Sequence, residues 1–510
     1  MHYILPKDRN QTFLFNSLEA MIPEVHPIRL IDEIVSNIVY NNQEKFKYKG
    51  QKRLGRPSYS PATMLKLFVY GYLNSIGSSR KLEAETHRNI EVKWLLGDLQ
   101  PDFKTIADYR KDNGDQIRTV TLEFRKFLKQ FGYIKGKNAV VDGCKVKANA
   151  KRDMLNLSRI ERRLQNLDEK LLKYLKYLEH TDIEENLFEE IESIDPSSVH
   201  QHLIEKISLL QSKILKLEQQ KQDLHSAGKK YLSPTDRDAN LMKSRDGKIP
   251  AYNVETVVDA EFHMITEAQA STSPTDSKEL EPLLDSIKAD LEFELAEVTG
   301  DKGFYYQSEI KRLEEKFETK FYIPWQSRRQ DKNKITFTYD KEHDEYLCPN
   351  GKSLKLKQKN KPKNGTYADM YQCTECNDCP FRSKCTTSKK GRIIYRYHDH
   401  VWRDNYKKRI KSEYGKKMIK KRKEIVEHVF GTIKCWMGKI PLLLRGRDKV
   451  QIEIDLYATA YNLRRLMNIT KLDNLLEMVK RYDWIIDKIE LNSAISNFFS
   501  YFKLSWNFYH

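Results

Sequence analysis

Residues Ala139 to Lys147, AVVDGCKVK, place Asp142 at the end of a short apolar run with Gly143 directly after it. A run of that length reads as a buried strand, and an acid at its end stands at the rim of a sheet, where solvent or a metal ion reaches it. The arrangement recurs at Val298 to Phe304, VTGDKGF, where the apolar residues of LAEV lead to Asp301 between Gly300 and Gly303. A third acid, Glu427, lies in IVEHVFGTIK, a stretch with helical spacing and no strand signal. Each acid alone reads as a turn or surface residue. Two strand-end aspartates and a helix-borne glutamate together supply hard oxygen ligands on rigid elements, the donor set that holds divalent cations against phosphate oxygens.

The balance of charge points the same way. The 510 residues carry 90 basic and 72 acidic side chains, a formal charge of +18, with a pI near 9.2 and mean hydropathy of −0.71. Such a chain calls for a polyanionic partner, of which nucleic acid is the first to consider. Its length exceeds one compact core, so two to four domains are expected. No apolar run approaches the roughly 20 residues of a membrane span, and the opening MHYILPKDRNQ lacks the apolar core of a signal peptide, so a cytoplasmic location is expected.

Residues 1–135 read as a helical N-terminal domain. Leu30 to Val39 has apolar residues at helical spacing, Ser60-Pro61 is an N-cap followed by proline at the first helical position, and Met64, Leu65, Phe68, Tyr72 and Leu73 make one apolar face. Shorter helices at Ser79 to His87 and Lys104 to Arg110, with Gly77 and Gly97 in the turns, are compatible with a helix-turn-helix DNA reader and equally with a plain helical domain. Residues 136–150 hold the Asp142 strand. In 151–230 two heptad runs, Leu157 to Leu178 and Leu203 to Leu217, are joined by an acidic connector through Asp195-Pro196; they predict an antiparallel helical hairpin, self-packed or dimerising. Residues 231–330 then predict strands at Tyr252 to Val258 and His263 to Gln269, a helix from Asp276, the Asp301 strand, another helix and a strand at Phe321 to Pro324. With insertions removed, that is the order of an RNase H-like α/β core.

Residues 331–400 carry five of the seven cysteines: Cys348, Cys373, Cys376, Cys379 and Cys385. Thiolates at x2 spacing ligate one ion because a tight turn brings both sulfurs to one side, so a structural Zn²⁺ on Cys348, Cys376, Cys379 and Cys385 is the leading reading, with Cys373 left out. An iron–sulfur cluster and free buried thiols are the alternatives. Residues 401–475 hold the glutamate helix and the end of the core, and 476–510 a C-terminal tail. From Arg403 to Glu424 there are eleven Lys or Arg against three acids. On a helix at 100° per residue, Lys420, Lys423, Phe430 and Lys434 lie within about 60° of Glu427, so one face presents a carboxylate flanked by ammonium groups, suited to a metal-bound phosphodiester.

At these residues the chain resembles DDE-class bacterial insertion-sequence transposases, in the group with a helical N-terminal domain and a cysteine-bearing insertion. The matching stretches are GRPSYSPATMLKLFVYGYLNSIGSSRKLE, VVDGCKVKANA, AYNVETVVDA, VTGDKGFY, IVEHVFGTIKCWMG and LLLRGRDKVQIEIDLYATAYNLRRL. The resemblance implies that Asp142, Asp301 and Glu427 are a catalytic triad binding two Mg²⁺ or Mn²⁺ ions, and that Lys434 contacts phosphate. Relatives carry tyrosine and arginine before the glutamate; here Lys420, Arg422 and Lys423 stand there, and Cys144 receives no catalytic role. It further implies strand cleavage and strand transfer on double-stranded DNA, terminal-repeat binding and a homo-oligomer on DNA. A nuclease without strand transfer and an inactive DNA-binding derivative are the rival readings. Glu424 and Glu453 are expected to be dispensable for cleavage.

Overall fold

The structure, a computed structural model, describes residues 17–46, 58–185, 196–226, 228–244, 247–292, 295–325, 335–363, 366–436 and 442–482. The chain opens with helices α1 (Leu18–Met21), α2 (Pro27–Asn41), α3 (Pro61–Leu73), α4 (Ser79–Arg88), α5 (Ile90–Leu96), α6 (Phe103–Asp112) and α7 (Gly114–Gln130). Local chemistry sets their ends. The Ser60 hydroxyl accepts from the Thr63 amide ahead of Pro61, Asn89 and Asp102 cap α5 and α6 in the same way, and Gly97 ends α5 in the left-handed region at φ 61°. The apolar face expected on α3 is wider than its spacing indicates: Met64 to Leu73 is buried on every side except at Lys66.

After β1 (Asn138–Lys147) come two long helices, α8 (Leu157–Glu185) and α9 (Pro196–Ser226). Lys221 pairs with Glu161 at 3.1 Å and the Lys206 ammonium lies 5.9 Å from the Tyr174 ring, so late residues of one helix meet early residues of the other and the pair is antiparallel. A bridge between Leu155 and Leu232 closes its base. The connector residues before Pro196, Asp195 included, lie outside the described residues.

The chain then returns as β2 (Asn240–Ser244), β3 (Gly247–Asp259), β4 (Ile265–Ser271), α10 (Leu280–Leu291), β5 (Glu297–Thr299), α11 (Gln307–Phe317) and β6 (Lys320–Tyr322). The result is a mixed sheet. β1 runs antiparallel to β3 and parallel to β5, β5 is parallel to β6, and β2 and β4 pair with successive halves of β3. One face is covered by α10 and α11, through Leu283, Ile287, Ile310 and Leu313 against Val141, Val257 and Val298. The opposite face, with Val140, Val254, Val258 and Ile265, shares one continuous core with α2, α3 and α7. The N-terminal helices therefore have no separate core among the described residues.

A second, antiparallel sheet follows: β7 (Thr338–Asp340), β8 (Glu345–Leu347), β9 (Ser353–Lys363), β10 (Thr366–Gln372), the short α12 (Arg382–Cys385) and β11 (Ile393–Tyr397), in the order β11-β10-β9-β8-β7. The chain ends with α13 (His400–Lys411), α14 (Glu413–Trp436), α15 (Arg447–Ile469) and α16 (Leu472–Arg481).

α15 is the central helix. Apart from Gln451, every residue from Val450 to Leu463 is buried. Its polar residues finish the outer edge of β4: Asn462 accepts from the Ile265 amide at 2.8 Å and donates to the Ile265 carbonyl at 2.9 Å. Gln451 does the same for the Ala270 amide and Ala268 carbonyl, each at 2.8 Å. Two side-chain amides thus replace a missing strand and close an edge that would otherwise template aggregation. Glu453, offered by the sequence as a control for cleavage, is a buried hub. Its carboxylate accepts from the Leu443 and Leu444 amides, both at 2.9 Å, and from the Tyr72 hydroxyl at 3.3 Å.

Candidate active site

Asp142 does not end its strand. β1 continues to Lys147 because β3 offers partners as far as Ala251, and Asp142 stands mid-strand opposite Thr256. The rim is created by the other neighbour: β5 pairs with β1 from Asn138 to Val140, and beyond Val140 no strand among the described residues pairs with that side of β1. Asp301 sits just past the end of β5, where its carboxylate accepts from the Lys302 amide at 2.6 Å and starts a single 3-10 turn. Both acids thus stand at the place where the parallel pairing stops.

One guanidinium joins them. Arg422 of α14 lies 3.0 Å from Asp142 and 4.0 Å from Asp301. Burial pushes the Asp142 carboxyl above the ordinary aspartate range, opposed by the Arg422 charge and hydrogen bond and by the Gly143 amide, while the nearby Asp301 charge adds to the rise. Two like charges this close call for a cation between them, and the arginine supplies one.

Glu427 is not part of this contact. The buried stripe of α14 is Met418, Ile425, Val429 and Ile433, and the first three are spaced so that residue 422 falls on the same stripe. At 100° per residue Glu427 points about 140° away from Arg422, and it is exposed, as are Lys420 and Lys423. Among the described residues no group of three or more His, Cys, Asp and Glu side chains lies close enough to hold a metal ion. The side chains of Phe430 and Lys434 lie outside the described residues. His428, beside Glu427, is exposed; its Nε2 lies 3.2 Å from Arg465 and its ring packs edge-on against His263. Burial and the Arg465 charge lower the His263 pKa to about 4 and depress His428 as well.

A carboxyl pair that sequence reasoning missed lies on the opposite face of β1. Glu255 is paired in register with Gly143, and a Cβ at Gly143 would stand 2.5 Å from its Oε2. Asp276 occupies the corresponding place under Gly303, where a Cβ would stand 2.7 Å from its Oδ2. Lys145 pairs with Asp276 at 2.7 Å, and Asn253 donates to both carboxyls. Glycine follows the first aspartate and stands two residues after the second because these acids fill the space a side chain would need.

The two acids titrate in opposite directions. Burial, then the adjacent Asp276 charge, pushes Glu255 well above the ordinary range, while Asp276 stays below it because its bonds to Lys145 and Asn253 outweigh burial. Glu255 is therefore the protonated partner. Its contribution to stability is fully present below about pH 4.5, the ordinary glutamate value, and is lost as pH rises through its raised folded value. Glu255→Gln is expected to remove this part of the decline in melting temperature with rising pH. An unchanged pH profile in the Gln variant would show that Glu255 is ionised in the folded protein.

The five cysteines gather at one end of the second sheet. Cys373 and Cys376 are buried there, Cys376 accepts from the Arg392 amide at 3.4 Å, and Asn350 reaches Cys379 at 3.6 Å. Burial, then a hydrogen bond with Cys376, pushes the Cys373 thiol up to about 11. Burial also raises Cys385, with Cys376, Cys379 and Cys348 adding to the rise.

Among the described residues no helix is long and apolar enough to cross a membrane. No curated protein and no solved structure matches the chain. Two family models do: a transposase DDE domain over residues 347–467, which takes in the cysteines, Arg422 and Glu427, and a transposase domain (DUF772) over residues 16–112, which takes in the N-terminal helices. With transposase models matching at two separate places along the chain, the resemblance to DDE-class insertion-sequence transposases is borne out.

Proposed function

We propose that this chain is a DNA transposase that cleaves strands at the ends of an insertion sequence and joins them to new DNA, on an RNase H-like core with Asp142, Asp301 and Glu427 as its metal-binding residues. The observation that carries the reading is the meeting of Asp142 and Asp301, 159 positions apart in sequence (301 minus 142), on one guanidinium at the opening between β1 and β5. A carboxylate pair that draws a fixed cation between its oxygens has the charge and hardness that suit Mg²⁺ or Mn²⁺. When bound, the divalent ion polarises the phosphodiester and lowers the pKa of the attacking oxygen. Asp142 and Asp301 are the residues that would hold it, and Arg422 offsets their charge. Lys420 and Lys423 share the exposed face of α14 with Glu427, about 160° and 100° around the helix from Arg422, and would contact the DNA backbone beside the aspartate pair rather than at it. A water oxygen attacks phosphorus and the 3′ oxygen leaves as a hydroxyl; that hydroxyl then attacks a second phosphodiester, with no covalent protein intermediate. Double-stranded DNA, at element ends and target, is the partner, and synapsis of two ends calls for a homo-oligomer.

The test is an incubation of the full chain with a duplex carrying the inverted repeats that flank its gene. Free 3′ ends and joined products that require Mg²⁺ or Mn²⁺ are expected. Cleavage without joining would reduce the reading to a nuclease, and retarded but intact DNA would make it a binding protein.

The soft thiolate set Cys348, Cys376, Cys379 and Cys385 suits a structural Zn²⁺. Purified protein is expected to contain about one zinc per chain, lost on Cys376→Ser and Cys379→Ser replacement. Iron with a visible chromophore would point to a cluster instead, and metal-free folded protein would leave the cysteines as thiols.

A further inference from the structure

We propose that the ribbon formed by β9 and β10 is a contact surface for the backbone of double-stranded DNA; this rests on the transposase reading for its partner and extends it to a surface remote in sequence from both the N-terminal helices and the triad. β9 reads SLKLKQKNKPK, with lysine at 355, 357, 359, 361 and 363 and no acid. Lys355, Lys357 and Lys359 are exposed, and Lys361 and Lys363 half-buried.

Three features distinguish this row from an ordinary solvated strand. First, it is free at one edge. Among the described residues β8 pairs only with Ser353 and Leu354 of β9, and from Lys355 onward β10 is the one strand that holds it. Second, the neighbouring carboxylates have closer partners than these lysines. Asp369 pairs with His398 at 3.1 Å and Glu375 with Lys352 at 2.7 Å, while Asp344 accepts from the Tyr339 and Tyr371 hydroxyls. Asp369 also accepts from the Asn360 amide of β9 at 3.0 Å. Against burial, these bonds and then the charges of Lys359 and Lys355 hold Asp344, Asp369 and Glu375 below the ordinary carboxylate range. Among the described residues none of the five lysines forms an ion pair with a carboxylate. Third, aromatic rings lie among the cations: the Lys363 and Lys361 ammonium groups stand 3.8 and 5.8 Å from the Tyr395 ring centre, and Arg403 stacks at 3.3 Å on Tyr397. Tyr395 is opposite Met370 across the sheet and Tyr397 is opposite Ala368.

Length and charge select the occupant. Lys355 to Lys363 covers roughly 26 Å at about 3.3 Å per residue, a length that spans several phosphates at about 3.4 Å of axial rise each on one DNA strand. A two-stranded ribbon is also of a width that the DNA major groove admits. Edge lysines have a blander use, since charge on an open edge prevents strand-to-strand aggregation. Charge of either sign serves that purpose, and only positive charge serves DNA.

The experiment uses this difference. Full-length protein is titrated with a random-sequence duplex at several salt concentrations, as wild type, as Lys357→Glu/Lys359→Glu/Lys361→Glu and as the same three positions changed to Arg. The Glu variant is expected to stay soluble, to lose at least about 10-fold in affinity and to lower the slope of log K against log salt by about 0.9 per lost phosphate contact, roughly 2 to 3 in all. The Arg variant is expected to match wild type. A Glu variant with wild-type affinity and slope would overturn the proposal, and so would an Arg variant as weak as the Glu one. Cleavage by the wild type on repeat-bearing duplex, measured in parallel, separates the two readings. Absent cleavage with an altered slope removes the transposase reading and keeps the surface, whereas cleavage with an unaltered slope does the reverse.

Discussion

Asp142→Asn and Asp301→Asn proteins are each expected to lose at least about 10³-fold of Mg²⁺-dependent strand cleavage while binding the element ends nearly as wild type. The amide keeps the size and one oxygen of the carboxylate and loses the negative charge that draws a cation. At Asp142 the change also takes the charge from the 3.0 Å partner of Arg422, so that Asp301 at 4.0 Å is the charged carboxylate left to that guanidinium. Cleavage measured on a labelled duplex with the terminal repeats, beside a gel-shift for binding, checks both halves. Wild-type rates in either variant would remove that aspartate from the site. Glu427→Gln is the more informative third member, because its side chain projects away from the stripe that carries Arg422. A loss equal to that of the aspartate variants would mean that α14 turns or shifts when DNA and metal bind. Full activity in Glu427→Gln with both aspartate variants dead would show that the third ligand lies elsewhere. Glu424→Gln, on the exposed side of α14, remains a suitable control. Glu453→Gln does not, because its carboxylate holds two backbone amides in the core.

The parts of the fold that were legible in the sequence are those fixed by local spacing. Ser60-Pro61 announced a helix because capping is a contact between near neighbours, and the heptad steps of 157–178 and 203–217 announced a hairpin because the two helices pack on each other. The pairing of β1 was not local. Asp142 looked like a strand end because the apolar run stops there, yet the strand goes on through Gly143 and Lys145, whose polar partners Glu255 and Asn253 come from β3. A polar segment can pair as well as an apolar one when its partner strand supplies matching hydrogen bonds. On α14, Lys420 and Lys423 are exposed together with Glu427, and the aspartates meet the helix from another side. The buried stripe Met418, Ile425, Val429 passes through 422 at steps of four, three and four, and tracing that stripe from the sequence would have put Arg422, not Lys420 or Lys423, against the aspartates. Charge alone could not rank three adjacent basic residues.

Glu267→Gln is expected to destabilise the junction between the N-terminal helices and the sheet by about 3 to 5 kcal/mol, because it strands a buried arginine. Arg125 of α7 lies 2.6 Å from Glu267 of β4, with side-chain exposures of 2% and 0%. Ser286 of α10 donates to the same carboxylate at 3.1 Å, and Arg118 lies within 3.8 Å of it. Arg118 also reaches Asp290 at 3.0 Å and Asp455 at 3.5 Å, so α7, β4, α10 and α15 meet at one charge network. Burial raises Asp455 to about 6 against the pull of Arg125 and Arg118, with Glu267 adding to the rise. Asp455 therefore contributes stability that is complete below its ordinary 3.8 and is lost as pH rises through about 6. Replacing Glu267 removes one of the charges that keep Asp455 protonated, so its pKa should fall and that loss should move to lower pH. Amide hydrogen exchange of β4 is the measurement, since protection there reports opening of this junction rather than of the whole chain. Protection is expected to fall by at least about 10²-fold in Glu267→Gln and to recover in large part in the double variant Arg125→Met/Glu267→Leu, which removes the buried arginine together with its carboxylate and leaves Asp455 paired with Arg118. Equal protection in the wild type and the single variant would mean that water reaches Arg125. A double variant as weak as the single one would mean that shape, not charge, holds α7 on the sheet.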